Sequence, residues 1–516
     1  MITEFKNEVL VDFGNTENKK KMEAAIAKLE SESSREYPII IGGEKITAPQ
    51  KIRSINPSNK KEVVGVAQKG TVELANKAVD AALKAFETWK HTPAPDRADY
   101  IFKIAKLMRD RKYELSATMV LEIGKSWVEA DADVAEAIDF CEFYAREAIR
   151  YSGEQPIVQW PGEKNELVYL PLGVGAVLPP WNFPLAILTG MTTAAMVTGN
   201  TVVLKPASDT PIIAAKFMEI VMDAGVPAGI INFVTGSGSD VGETLVKHPK
   251  IRFITFTGSK EVGLHIAEEA GKAHQGQIWI KRIIVEMGGK DAIIVDEEAD
   301  IDSAVEGVAI SAFGFQGQKC SACSRAIVSE KIYDSFLEKL TARVKKITVG
   351  PTTNPSNYMG PVSSQSAFDK IMGYIETGKK EGRLVFGGEA TAGDGLFIQP
   401  TIFADVSPTA RIAQEEIFGP VLAVIKAKDF NDALRIANGT QYGLTGGVYT
   451  KNPQKIEKAR REFFVGNLYF NRKCTGALVG VQPFGGFNMS GTDSKAGGRD
   501  YLLLFLQGKS ICQKLT

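Results

Sequence analysis

VTGNTVVLKP (197–206), IIAAKFMEIVMDAG (212–225), IINFVTG (230–236), IRFITFTG (251–258) and SKEVGLHIAEEAGK (259–272) follow one another along this chain. The first ends in a β-branched run, and the second carries apolar residues at helical spacing. The third and fourth are short apolar strands closed by glycine turns, and the fifth is helical again. Alternation of this kind predicts a parallel sheet with helices on both faces. Upstream, PIIIGGEKI (38–46) reads as strand, turn and strand, behind a charged helical arm from Asn18 to Ser34. Helical patterns fill Thr71 to Tyr151, among them AEAIDFCEFYAREAIRY (135–151). A second α/β run opens at IIVEMGGKDAIIV (283–295) and continues through FDKIMGYIETGKKEG (368–382) to about Asn471. The closing FLQGKSICQKLT (505–516) reads as a tail strand suited to pairing with another subunit. No internal repeat or low-complexity segment is visible.

A chain of 516 residues is expected to hold two or three domains. With 44% hydrophobic and 24% charged residues it has the profile of a soluble globular protein. Lys plus Arg and Asp plus Glu number 61 each, and a zero balance argues against a grip on nucleic acid or an anionic membrane. The opening MITEFKNEVLVDFGNTENKKK shows no apolar signal core, and the cysteine count of 5 is odd, so a reducing cytoplasm is expected. Leu167 to Leu204 carries no charge, but Pro171, Pro179, Pro180, Pro184, Asn182 and Asn200 interrupt it. Buried strands and a helix explain it better than a membrane span, which wants about 20 predominantly apolar residues.

Cys320 lies in FGFQGQKCSACSRAIV (313–328), where glycines and small polar residues would let a substrate approach sulfur. Cys141, in an amphipathic helix, reads as core packing. Cys320 and Cys323 form a C-x-x-C pair, open to reading as a redox motif or half a metal site. The four histidines, His91, His248, His265 and His274, have no ligand spacing, so no metal is expected. Glu286 ends a strand before Gly288 and Gly289, which would aim it into a cleft as a base or leave it a surface acid. Asn182 in PPWNFPLAI is either an oxyanion donor or a structural turn residue. TGSGSDVG (235–242) and FTGSKEVG (256–263) are glycine turns between strand and helix, where N–H groups meet a pyrophosphate, although neither is G-x-G-x-x-G. Lys205 is placed to reach ribose hydroxyls or to be an ordinary surface lysine.

PWNFP, VVLKPAS, FTGS, VEMGGKD, GQKC, EEIFGP and PFGGFNMSG occur in the order and approximate spacing of the aldehyde dehydrogenase superfamily, which this chain resembles from about Pro38 to its C-terminus. The resemblance implies an α/β protein with a Rossmann-type NAD(P)-binding domain, an α/β catalytic domain and a small β oligomerisation flap. It implies an N-terminal arm and cofactor domain over 1–158 and 180–285, and a catalytic domain over 286–477. The flap would take 159–179 and 493–516, with 478–492 returning toward the cofactor domain. Cys320 would be the nucleophile and Glu286 the general base, with Asn182 and the Cys320 N–H as oxyanion hole. Leu178, Pro180, Trp181, Lys205, Ala207, Ser208, Gly238, Gly242, Gly258, Ser259, Val262 and Gly288 would contact the cofactor. Glu416 and Phe418 would hold the nicotinamide ribose and ring.

Within the superfamily the chain is most similar to members that oxidise glutamate γ-semialdehyde in proline and arginine breakdown. The N-terminal arm, Ser321 after the nucleophile, and CTGALVGVQPFGGF (474–487) carry that likeness. It implies that Ser321 and the backbone N–H groups of Gly476 and Ala477 hold an α-carboxylate, with Phe484 also at the substrate. Many strictly NAD-dependent members have Glu where Ser208 stands, so NAD is the expected cofactor with NADP also accepted. A small aldehyde substrate and a homodimer or higher homo-oligomer are expected. Other expectations are a different semialdehyde or aliphatic aldehyde dehydrogenase, a non-catalytic dinucleotide-binding relative, and a thiol-redox protein built on Cys320 and Cys323.

Overall fold

The computed structural model describes residues 3–515; Met1, Ile2 and Thr516, at the outer ends of two expected segments, lie outside the described residues. The alternation at 197–272 builds the expected sheet. Strand Val174–Leu178 runs parallel to Thr201–Leu204 on one side and to Phe253–Thr257 on the other. Ile231–Phe233 and Arg282–Glu286 extend the two sides, again in parallel. The hairpin Ile39–Ile41/Glu44–Ile46 adds two antiparallel strands to make seven. Its Gly42-Gly43 turn has φ of 60° and 86°, the left-handed backbone a two-residue hairpin requires.

From Leu172 to Leu204 the uncharged run is largely buried because its strands are covered on both faces, while 167–171 lie partly exposed in the strand Glu163–Pro171. Val202 and Leu204 pack in one core with Leu188 and Ile213, while Val203 packs in another with Val79 and Leu245. Each such side chain contributes about 1.5–3 kcal/mol of burial. Among the described residues no helix is long and apolar enough to cross a membrane. The chain leaves Val174–Leu178 toward 201–204 and 231–233, then returns to its other side at 253–257. This reversal opens a crevice beyond the carboxyl ends of the two central strands.

Helix Trp127–Ser152 flanks this half. Ser126 caps it by accepting the Glu129 N–H, and Ala130, Val134, Ile138, Cys141, Ala145 and Ala148 bury one stripe. Cys141 is core packing, as expected. A second seven-stranded sheet holds Ala292–Val295 parallel to Arg325–Ser329 and Thr445–Tyr449.

Leu506–Lys514 pairs antiparallel with Glu163–Pro171 of the same chain, from Leu506↔Pro171 to Lys514↔Glu163. Residues 174–178, inside the range assigned to the flap, are instead a central strand of the first sheet.

Candidate active site

Cys320 follows helix Ile301–Phe313 and a tight turn, Gly314–Gly317. Within that turn Phe315 and Gln316 take φ of 48° and 56°, left-handed values that bulky residues resist. Surrounding contacts hold them there. The Gln316 amide donates to the Gly124 and Pro361 carbonyls (3.2 and 2.8 Å), and the Lys125 ammonium sits 4.7 Å over the Phe315 ring. Lys125 is itself locked to Asp133 at 2.6 Å, both side chains wholly buried. The strained turn delivers Cys320, half-buried, to the wall of a cavity of roughly 910 Å³. Burial and the nearby Asp291, Glu416 and Glu286 carboxylates push its thiol up, so a base is needed to ionise it.

Cys323 does not pair with Cys320. Its buried sulfur donates to the Arg325 carbonyl at 3.4 Å, lies in a core with Val308 and Tyr449, and meets the Cys474 thiol. All five cysteines are free. The C-x-x-C spacing reflects a turn that sends one sulfur to the cavity and the other to the core.

Asn182 lines the same cavity, buried, its Nδ2 donating to the Gln318 carbonyl at 3.1 Å. That bond ties it to the nucleophile loop and leaves one amide hydrogen free. The Cys320 N–H has no acceptor among the described residues. Glu286 ends its strand as expected but does not line this cavity. Its carboxylate accepts from Ser494 Oγ (2.7 Å), Ser494 N and Gly486 N (3.2 Å each). Burial outweighs these bonds and pushes it up to about 7.

The crevice at the strand ends is part of the same cavity. Leu178, Pro180 and Trp181 line it after one central strand, Gly258, Ser259 and Val262 after the other. Gly238 and Gly242 face them, and Ala207 and Lys205 complete the wall. The buried Lys205 ammonium, pushed down to about 8 by desolvation, donates among the described residues only to the Pro206 carbonyl at 3.0 Å, leaving donors for hydroxyls. Ser259 caps helix Lys260–Ala270 at the cavity. Glu416 accepts the Gly289 N–H at 3.0 Å, and a Cβ on Gly288 would overlap its carboxylate. Phe418, at φ 61°, meets Trp181 edge-on at 5.4 Å. A buried ammonium, two helix starts and an acidic ribose-sized end fit a dinucleotide. Ser208 is not in the lining; its hydroxyl is 3.4 Å from the Gly236 carbonyl, and its neighbour Asp209 lines the cavity instead. Asp209, His265 and Lys370 are lining residues with no recognisable spacing in sequence.

Ser321 is buried, its carbonyl accepting from Thr445 Oγ1 and Cys474 Sγ at 3.4 Å each. These contacts bring the 474–480 loop against the nucleophile loop. Gly476 and Gly480 bracket it with φ of 74° and 76°. Neither the Gly476 nor the Ala477 N–H has an acceptor among the described residues. Phe484 pairs with Ala496 through two backbone bonds of 2.9 and 2.7 Å. Glu136 escaped the sequence reading because its helix shows only an amphipathic pattern. Its carboxylate acts on Cys320, and burial and Asp133 push it up to about 8.

This fold and cavity define an enzyme class that the comparisons supply: residues 45–511 match the aldehyde dehydrogenase family, and the chain belongs to that family. It is 57% identical over 513 residues to a 1-pyrroline-5-carboxylate dehydrogenase of Geobacillus sp. (strain WCH70), covering 99% of this chain and 100% of that one. A Bacillus cytotoxicus protein of the same name is 56% identical over 515 residues, covering 100% of both. The solved 1-pyrroline-5-carboxylate dehydrogenase from Thermus with bound NAD superposes with a TM-score of 0.98 at 54% identity, over 99% of each chain.

Proposed function

We propose that this chain oxidises L-glutamate γ-semialdehyde, the open form of 1-pyrroline-5-carboxylate, to L-glutamate with NAD. The observation that carries the substrate is the pair of N–H groups at Gly476 and Ala477, unpartnered among the described residues, on a loop whose Cys474 thiol donates to the Ser321 carbonyl. Together they form a nest for an α-carboxylate.

Glu286 takes the Cys320 proton, and the thiolate adds to the aldehyde carbon. The second Asn182 amide hydrogen and the Cys320 N–H receive the new oxyanion, each such donor being worth about 3–4 kcal/mol. Lys205, Ser259, Glu416 and their neighbours at the strand ends would hold the nicotinamide cofactor, which would supply the hydride acceptor. A thioester is left on Cys320. Glu286, ionised again, withdraws a proton from the water that hydrolyses it. The same reading places the enzyme in the cytoplasm as a homodimer or higher homo-oligomer, joined through the two-stranded sheet of 163–171 and 506–514.

Two or three hydrogen bonds to a charged carboxylate, after imperfect geometry, leave roughly 3–5 kcal/mol of discrimination. Glutamate semialdehyde should therefore exceed propanal in kcat/KM by at least about a hundredfold, and Ser321→Ala should erode the advantage by about tenfold. Equal use of the two aldehydes by the wild type would refute the carboxylate anchor and leave a general aldehyde dehydrogenase.

A further inference from the structure

The first dozen described residues form no helix or strand, yet polar side chains of the protein interior hold them in one path. Asp139, buried on helix Trp127–Ser152, accepts the Glu8 N–H at 2.6 Å and the Asn7 amide at 2.8 Å. Asp131, two helical turns earlier, accepts the Val11 N–H at 2.7 Å, and Lys112 donates to the Val9 carbonyl at 2.7 Å. Phe5 packs edge-on against Phe143 at 5.2 Å, and Arg146 grips the Thr3 carbonyl at 2.8 Å. A free tail needs none of this: two carboxylates are buried to receive backbone N–H groups of the arm.

The Asn7 amide also donates to the Val479 carbonyl, at 3.0 Å. Val479 lies in the five-residue segment 476–480, which begins and ends on the left-handed Gly476 and Gly480 and holds the free N–H groups of Gly476 and Ala477. The arm covers the far end as well: a Cβ at Gly480 would stand 3.0 Å from Phe5 and 3.2 Å from Phe143. Two glycines with left-handed freedom make this segment pliable, and its N–H groups can converge on an anion only if its path is fixed. Three side-chain hydrogen bonds fix it, from Arg472 to the Gly476 carbonyl (3.2 Å), from Gln482 to the Leu478 N–H (3.0 Å) and from Asn7, beside the backbone bond from Gly480 N to the Gly497 carbonyl (2.9 Å) and the buried Val479 side chain. Asn7 alone among these three is distant in sequence.

We propose that the N-terminal arm is a strap that sets the substrate's carboxylate anchor, with Asn7 the positioning residue that joins helix Trp127–Ser152 to the 476–480 segment. Asn7 touches neither the substrate nor the reacting atoms. This inference rests on the anchor reading given under the proposed function.

The test measures kcat and KM separately for glutamate semialdehyde and for propanal, in the full chain with NAD. Asn7→Ala, which loses both amide bonds, should raise KM for the semialdehyde about fivefold, the size of one neutral hydrogen bond. It should leave kcat with the semialdehyde and kcat/KM with propanal unchanged. Asn7→Asp, which puts a carboxylate against Asp139, should do the same or more, and Asn7→Gln should recover part of the loss. Thermal unfolding of each variant separates a loosened anchor from a loosened fold. If the variants lose activity equally toward both aldehydes, or keep the wild-type KM for the semialdehyde, the strap is purely structural and the inference falls. Ser321→Ala run alongside separates the premises. If it erodes the preference while the Asn7 variants do not, only the strap fails; if it leaves the preference intact, the anchor reading fails.

Discussion

Ser494 offers a way to move the proton affinity of the base without touching the base. Glu286 is almost wholly buried and sits at about 7, with the 2.7 Å bond from Ser494 Oγ as the shortest of three that favour its ionised form. Ser494→Ala removes that bond and nothing else from the carboxylate. A hydrogen bond to a charged group contributes about 1.5–3 kcal/mol, and water entering the gap restores part of it. A net loss of about 1.4 kcal/mol raises the proton affinity tenfold, so the inflection should move from about 7 to about 8. The base must be ionised to act, so turnover rises with pH through the inflection and levels above it. The assay is the pH dependence of steady-state kcat, with stopped-flow NADH formation to separate hydride transfer from thioester hydrolysis. Glu286→Gln should slow the first burst of NADH, because Cys320 must ionise without its base, and then stall with an acyl group on Cys320 detectable by mass spectrometry. An unmoved inflection in Ser494→Ala, or full steady-state turnover in Glu286→Gln, would refute the assignment. Stability gives an independent check. With the folded value raised from 4.5 to about 7, the folded state holds a proton that the unfolded chain has released. Stability falls as pH rises across that interval, by about 3 kcal/mol in all, and the cost persists above pH 7. Glu286→Gln should therefore raise Tm most at pH 8 and hardly at pH 4.

Cys320→Ala should abolish oxidation while cofactor binding survives, whereas Cys323→Ala should keep most activity because its sulfur faces the core; equal loss in both, measured by NADH formation, would revive a dithiol mechanism. NADP should support measurable oxidation at lower kcat/KM than NAD, because Asp209 places a carboxylate on the cofactor cavity beside Lys205. Asp209→Asn should improve NADP selectively and Ser208→Glu should suppress it; parallel changes with both cofactors would put neither residue at the ribose.

How much of this was legible before folding differs from residue to residue. The parallel sheet over 174–286 was readable because each strand is a short β-branched run between glycine turns and each helix repeats at 3.6 residues, signals that neighbouring residues carry by themselves. Cys320, Asn182 and Lys205 were found because they sit in short segments of characteristic composition, and Glu416 through the family resemblance of EEIFGP. Glu136, Asp209 and Asn7 were not, since each lies in a pattern that an ordinary amphipathic helix, a turn or a tail also shows. Asn7 meets Asp139 and Val479, 132 and 472 residues away, and Glu136 acts on Cys320 of a distant loop. The tertiary structure alone decided that Cys323 turns into the core while Cys320 faces the cavity. Adjacent turn residues diverge according to what packs beneath them, and no spacing rule records that. It alone decided, too, that Glu286 is buried among donors from 486 and 494. Desolvation by distant segments raises a carboxylate to about 7, and a one-dimensional sequence contains no solvent to exclude.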